Sequence, residues 1–228
     1  MRRTFAASAM LGAAALLAAC GDATGPALER NNPGTGTATL NVTADIQGEN
    51  VPGGFTTDMD VQVRDAQGNP VSGATVTIRN GALGTLTLLE SGVGSGDYQA
   101  SVNGFASGDY RLDVVVGTDR VENVVVGGIG VHTINAPGLS DTIPASQPLT
   151  VTWARGPEAF RVDVNSREYE AQGILDSGTH TIPGVDIQAR PDERIRVTRY
   201  NEVQIAGGLA GSRLQLRLRQ TLEPLLVQ

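Results

Sequence analysis

The sequence predicts an all-β protein in which two consecutive β-sandwiches follow an amino-terminal export segment and a tether. Three observations carry that reading. From Thr37 onward apolar residues recur at every second position, the period of a half-buried strand. The alternating runs are short and bounded by clusters of Gly, Asn, Asp and Pro, in a chain with 29 Gly and 11 Pro. No stretch beyond the export segment combines helical spacing with helical length. A hydrophobic content of 40% in 228 residues is enough to bury cores, which excludes a disordered chain.

The chain opens with Arg2 and Arg3, followed by an apolar run from Phe5 to Ala19. That run is shorter than the roughly 20 residues a permanent membrane span needs, and it has the flanks of a secretory signal. It ends Leu17-Ala18-Ala19-Cys20-Gly21, which resembles the lipobox of bacterial lipoproteins. The resemblance implies cleavage before Cys20, a thioether-linked diacylglycerol and a palmitate-type N-acyl chain on Cys20, and residence in the bacterial cell envelope as a membrane-anchored lipoprotein. Several acyl chains at one residue give stable anchoring at about 0.8 kcal/mol per buried CH₂, where one chain is marginal. In that family an Asp directly after the lipidated Cys retains the protein in the inner membrane. Here that position is Gly21 and Asp22 comes one later, so the resemblance favours the outer membrane, at its periplasmic face or at the cell surface. An ordinary cleaved signal that happens to carry a Cys is the bland alternative. With its only Cys acylated, the mature chain has no thiol for catalysis.

Residues 20–36 read as the lipidated Cys and a flexible tether, because GDATGPALERNNPGTG is made of turn formers and polar residues without periodicity. Sixteen residues at roughly 3.3 Å each reach at most about 50 Å. The first sandwich is expected over 37–130. Leu40, Val42 and Ala44, then Met59, Val61 and Val63, then Ala74, Val76 and Ile78 each alternate with polar residues. Further runs start at Tyr98 and Tyr110, and a last one covers Val121 to Val126. The turns between them include Asp65 to Pro70, where Gly68 tolerates positive φ and Pro70 fixes φ without offering a donor. The second sandwich is expected over 131–228, with runs at Leu149–Trp153, Phe160–Val164, Thr179–Ile182, Ile195–Val197 and Leu214–Leu218. One larger sandwich over the whole chain is the alternative division.

Charge differs between the halves. Residues 37–130 hold 4 Arg against 11 acids, whereas 131–228 hold 10 Arg against 11 acids. All 17 basic residues are Arg and the whole chain carries −7, which argues against nonspecific binding to nucleic acid or anionic lipid. One Cys and two His leave no zinc finger and no disulfide framework, and no cofactor is expected.

The stretch Val63-Arg64-Asp65-Ala66-Gln67-Gly68-Asn69-Pro70-Val71-Ser72-Gly73-Ala74-Thr75-Val76 resembles bacterial immunoglobulin-like modules of cell-surface proteins. It is similar both to invasin/intimin-type repeats and to the transthyretin-like regulatory modules attached to carboxypeptidases and outer-membrane receptors. Gly96-Asp97-Tyr98 and Gly108-Asp109-Tyr110 match the strand starts of such modules. The resemblance covers about 37–130 and implies an immunoglobulin-like β-sandwich there; with the alternating runs after 131, the expectation is an all-β chain of two tandem immunoglobulin-like β-sandwich domains. It implies little about function, because these modules serve many roles.

Each candidate site has a bland counterpart. Asp97, Asp109 and Asp113, with Asp119, Asp58 and Asp60, could offer oxygen ligands to Ca²⁺, but they lack the dense alternation of a loop site, and a solvated acidic surface explains them better. Asp176, Ser177 and His180 contain the residue types of a hydrolytic triad, yet neighbours on one hairpin seldom converge. His132 reads as structural. Trp153, the single Trp, continues the alternation of Leu149 and Val151 and is expected in the core rather than on a sugar platform. Tyr98 and Tyr110 are expected to pack inward with hydroxyls at the sandwich edge. Arg194, Arg196, Arg199, Arg213, Arg217 and Arg219 could line a cationic stripe for an anionic polymer, although alternation with apolar residues favours a solvent face that protects strand edges. The resulting expectation is a non-enzymatic, lipid-anchored structural or interaction module (adhesion or spacer) with a protein or cell-wall polysaccharide partner. The competing expectations are a surface glycan-binding module and a hydrolase centred on His180.

Overall fold

The structure, a computed structural model, describes residues 30–156 and 159–228. Cys20, the export segment and residues 21–29 of the expected tether lie outside the described residues. The described chain is all-β. A 3-10 turn lies at Gly184–Asp186, and no helix among the described residues is long and apolar enough to cross a membrane.

Eight strands form most of the first sandwich: β1 (Asn32–Gly36), β2 (Asn41–Val51), β3 (Gly54–Arg64), β4 (Thr75–Asn80), β5 (Gly84–Glu90), β6 (Asp97–Asn103), β7 (Tyr110–Val116) and β8 (Asp119–Val126). The remainder are β9 (Ile134–Ala136), β10 (Thr142–Ile143), β11 (Leu149–Trp153), β12 (Arg161–Asn165), β13 (Glu170–Leu175), β14 (Thr179–Ile182), β15 (Arg190–Gln204) and β16 (Arg213–Val227). Thirteen strands belong to one hydrogen-bonded sheet, in the order β1-β8-β7-β4-β5-β6-β3-β2-β16-β15-β12-β13, with β10 beside β16. The sheet turns a corner within β5: Gly84 to Leu88 pair with β4, whereas Leu89 and Glu90 pair with β6. Its two arms therefore face each other across a core.

Period-two alternation does the sorting. Val42, Ala44 and Ile46 of β2, Met59, Val61 and Val63 of β3, Val76 and Ile78 of β4, and Leu112 and Val114 of β7 are all buried in one cluster, with intervening polar residues turned outward. A second cluster gathers Val151 and Trp153 of β11, Ile182 of β14, Val162 and Val164 of β12, Ile195 and Val197 of β15, and Leu225 and Val227 of β16. Here the three-stranded sheet β14-β11-β9 covers the far end of the long sheet.

The two cores share one hairpin. β15 and β16 pair antiparallel from Arg190↔Val227 to Gln204↔Arg213. Their distal halves put Val203, Ile205, Leu214, Leu216 and Leu218 into the first core, and their proximal halves put Ile195, Val197, Leu225 and Val227 into the second. β16 also runs parallel to β2, from Arg213↔Thr43 to Arg219↔Glu49. A residue from beyond position 130 thus sits beside the first strands of the chain.

Three local expectations are corrected. The tail of the expected tether is a strand, because Asn32 to Gly36 pair antiparallel with β8. Nothing in its Asn-Pro-Gly-Thr-Gly composition signals a strand, since backbone bonds and not apolar burial hold it. The first long strand begins at Asn41 rather than Thr37, because Ala38 adopts a positive φ of 55°. β5 is a strand beyond those the alternation predicts. Its Thr85-Leu86-Thr87-Leu88 alternation is genuine but buries only Leu88 fully.

The hairpin tip is fastened to the start of the chain. Ala206 N–H donates to Pro33 O (2.9 Å), Ala38 N–H to Gly207 O (3.0 Å), Leu209 N–H to Leu40 O (2.7 Å), and Val42 N–H to Ser212 Oγ (3.0 Å). The backbones meet so closely that a Cβ on Gly207 would lie 2.1 Å from the Thr35 carbonyl carbon and 2.3 Å from Gly36 N. Gly207→Ala is therefore expected to destabilise the protein by about 1–3 kcal/mol, the usual cost of forcing backbone apart. Gly81→Ala, where a Cβ meets nothing, serves as the control and should stay within about 0.5 kcal/mol in urea titrations.

Candidate functional site

The residues singled out in the sequence separate into several places. Asp97 accepts from Arg64 at 2.5 Å, Asp109 from Arg30 at 2.9 Å, and Asp113 from Arg79 at 2.5 Å, so each carboxylate faces its own guanidinium. Asp109 and Asp113 also accept the backbone N–H groups of Gly128 and Asn123. Asp119 accepts from Thr39 Oγ1, while Asp58 and Asp60 lie exposed on β3. Among the described residues no three His, Cys, Asp or Glu side chains gather to hold a metal ion.

Tyr98 and Tyr110 are buried, and their hydroxyls reach backbone at the sandwich edge. Tyr98 Oη donates to Val71 O and accepts from Ala74 N–H, both at 2.9 Å. Tyr110 Oη accepts from Ala106 N–H, and burial pushes its pKa up to about 12.

Asp176, Ser177 and His180 do not form a triad. Ser177 Oγ donates to the Thr179 carbonyl at 2.7 Å. His180 Nε2 meets the Tyr169 hydroxyl at 2.8 Å, with the two rings stacked, and burial lowers its pKa. Asp176 points into the second core, where its Oδ1 accepts from Trp153 Nε1–H at 2.8 Å and its Oδ2 is held by Arg199 through Nε (2.8 Å) and Nη2 (2.6 Å). Arg199 is fully buried and also donates from Nη1 to Gly130 O at 3.1 Å. This is a structural ion pair between sheets, and it occupies the carboxylate that a triad would need. Its signal was present in the sequence: Arg199 has the parity of Ile195 and Val197, not that of Arg194 and Arg196.

His132 lies against the same pair. It is buried, its Nε2–H donates to Val197 O at 3.2 Å, and its Nδ1 has no partner. Burial first, and then the Arg199 charge, lowers its pKa to about 4.

The outward parity of β15 and β16 builds a concavity of about 550 Å³. Its floor is Arg194, Arg196 and Thr198 of β15, one side is Arg217 and Arg219 of β16, and the other is the turn Ser166–Glu170 after β12. That turn is pinned by Arg167 Nε–H donating to Asp192 O (2.6 Å) and by the Arg190–Glu168 pair (2.8 Å). Asp163, Glu168 and Glu170 contribute negative charge at the rim. Arg217 pairs with Asp45 of β2, and Arg219 lies 3.6 Å from Glu49 of the same strand. Arg194 and Arg196 have no ion pair among the described residues. Burial, followed by the charges of Arg219 and Arg194, holds Arg196 below the ordinary arginine range. Burial and then Arg219 do the same to Arg217.

The Nε–H groups of Arg194, Arg196 and Arg219 are buried without an acceptor, as is Thr221 Oγ1, which stands opposite Arg196 across the hairpin. Each orphaned polar group costs about 1–3 kcal/mol, so four in one place is an expensive arrangement for a purely structural surface. The expected edge-protecting role of these arginines is corrected, because β15 and β16 are interior strands with pairing partners on both sides. The stripe of six also loses two members: Arg199 is in the core, and Arg213 is exposed and does not line the concavity. Arg167, absent from the sequence reading, joins because the Ser166–Glu170 turn folds back over the sheet.

No protein-family model and no curated protein matches the chain. Among solved structures, the chain is similar to fibronectin(III)-like modules of CbhA from Clostridium thermocellum, at 17% identity over 78% of this chain and 92% of that one, with a TM-score of 0.27. It is also similar to the adhesin InvE of Yersinia pseudotuberculosis, at 15% identity over 80% of this chain and 60% of the adhesin, with a TM-score of 0.28. Fold and site together define an all-β protein with a polar, arginine-lined outer face.

Two outcomes follow. Asp176→Ala should cost about 3–5 kcal/mol, because it leaves the Arg199 guanidinium buried beside an empty carboxylate position; urea unfolding measures it. His132 is neutral in the fold and gains its proton on unfolding, so stability is full above about pH 6.5 and falls as pH drops toward about 4. The loss across that window is on the order of 3 kcal/mol, and thermal melts of His132→Gln should show a correspondingly shallower decline.

Proposed function

We propose that the chain is a lipid-anchored, non-enzymatic protein of the bacterial cell envelope that works by contact, as a spacer or interaction module held to the membrane through Cys20. The observation that supports this most is the shared hairpin, which ties two cores into one hydrogen-bonded sheet and makes a stiff body suited to presenting a surface away from its anchor. The lipobox resemblance at Leu17 to Gly21 supports the anchor, and the single Gly after Cys20 supports the outer membrane. The partner is a protein or an envelope polymer.

A glycan platform is less favoured. Trp153, Tyr98 and Tyr110 are buried, and the exposed Phe160 ring carries the Arg161 guanidinium 4.5 Å above its centre. A hydrolase at His180 is less favoured because Asp176 is committed to Arg199 and Trp153.

Cys20→Ser in a bacterial host should move the protein from the membrane fraction to the soluble envelope fraction, and mass spectrometry of the parent protein should show acyl mass on Cys20. An unmodified Cys20 in the parent protein would contradict the anchor. Robust turnover by the purified protein in a broad ester, peptide and glycoside screen would contradict the non-enzymatic reading.

A further inference from the structure

We propose that the arginine-lined concavity on the outer face of β15 and β16 binds a tetrahedral oxyanion, a phosphate or sulfate group, through Arg194, Arg196 and Arg219. The inference goes beyond the anchored-module reading and does not depend on acylation of Cys20.

The cations converge from separate strands. Arg196 faces Thr221 across the hairpin and Arg219 faces Thr198, so Arg196 and Arg219 are diagonal neighbours on one sheet face. Arg194 stands two residues from Arg196 on the same outward parity. Their three Nε–H groups are buried without an acceptor, and the Thr221 hydroxyl beside them is equally unpartnered. Arg194, Arg196 and Arg219 line the concavity from two neighbouring strands, whereas a planar carboxylate offers two oxygens in one plane. A tetrahedral group offers oxygens in several directions, and guanidinium forks suit it.

The setting also favours an anion. Among the described residues Arg194 and Arg196 have no ion pair, while Asp45 and Glu49 engage Arg217 and Arg219 from the opposite side and hold that wall in place. The carboxylates of Asp163, Glu168 and Glu170 at the rim limit the site to a compact charged group and oppose indiscriminate polyanion binding. Arg196 and Thr221 also line an adjoining concavity of about 450 Å³ with Glu49, Asn50 and Glu223. A phosphate or sulfate could therefore arrive free or as a substituent on a longer envelope polymer that continues into the second concavity.

Calorimetric titration of the purified full chain with inorganic phosphate, with sulfate and with acetate, at constant ionic strength set with chloride, tests the proposal. Saturable binding of phosphate or sulfate is expected, with acetate about tenfold weaker or worse. Arg196→Gln and Arg194→Gln should each weaken phosphate binding by about tenfold, the loss of one charge-assisted contact, while Arg213→Gln on the same hairpin changes it by less than about twofold. Trp153 fluorescence confirms that each variant is folded, and the two single variants give independent readings. A parallel titration with a phosphorylated dextran and its unphosphorylated parent separates the sources: tighter binding per phosphate on the polymer assigns a polymer-borne group, and equal binding assigns the free ion. Absence of saturable phosphate and sulfate binding, equal binding of acetate, or equal losses in Arg196→Gln and Arg213→Gln overturns the proposal.

Discussion

A pair of strands long enough to serve two cores is the constraint from which the rest of this protein follows. β15 and β16 run fifteen residues each, and a strand of that length carries inward side chains past the end of one sandwich and into the next. The first sandwich would lose Leu214, Leu216 and Leu218 without them, and the second would lose Ile195, Val197, Leu225 and Val227. Because the side-chain period is two, a slip of one residue would turn all of these outward together. The register is secured at both ends: the tip by its bonds to Pro33, Ala38 and Leu40, and the base by the parallel pairing of β10 with Leu226 and Val227.

The same two strands explain why the arginines have two fates. Inward parity delivers Arg199 to the buried interior, where Asp176, Gly130 and the Trp153 indole satisfy it and its neighbour. Outward parity delivers Arg194, Arg196, Arg217 and Arg219 to one face. There the acidic β2 partly compensates them and the Ser166–Glu170 turn encloses them. The buried pair links β15 to the turn before β14 within the second core, and the outer set concentrates positive charge within an acidic chain of net −7. One hairpin thus supplies both rigidity and the most distinctive surface of the molecule.

Much of the fold could be read from the residues. Met59-Val61-Val63, Val76-Ile78 and Leu214-Leu216-Leu218 are buried as their alternation required, and Trp153 lies in the core. What escaped was whatever alternation does not encode. β1 is held by backbone bonds, β5 buries a single residue fully, and the hairpin's reach between cores depends on which strands lie beside it. The outer arginine face is half legible: alternation picks out Arg194, Arg196, Arg217 and Arg219, but composition does not show pairing order, so it cannot tell an interior strand from an edge. Arg199 could have been separated from the others by parity alone. Arg167 could not, because its place depends on how the turn after β12 folds back.

The most direct measurement is urea unfolding followed by two probes at once. Trp153 is the only tryptophan and sits in the second core, so its fluorescence reports that region. Hydrogen exchange at the amides of β2 and β3 reports the first. If the hairpin joins both cores into one cooperative unit, the two transitions coincide in midpoint and steepness. A fluorescence transition completed while β2 and β3 amides remain protected would show that the cores fold independently, and would contradict the account.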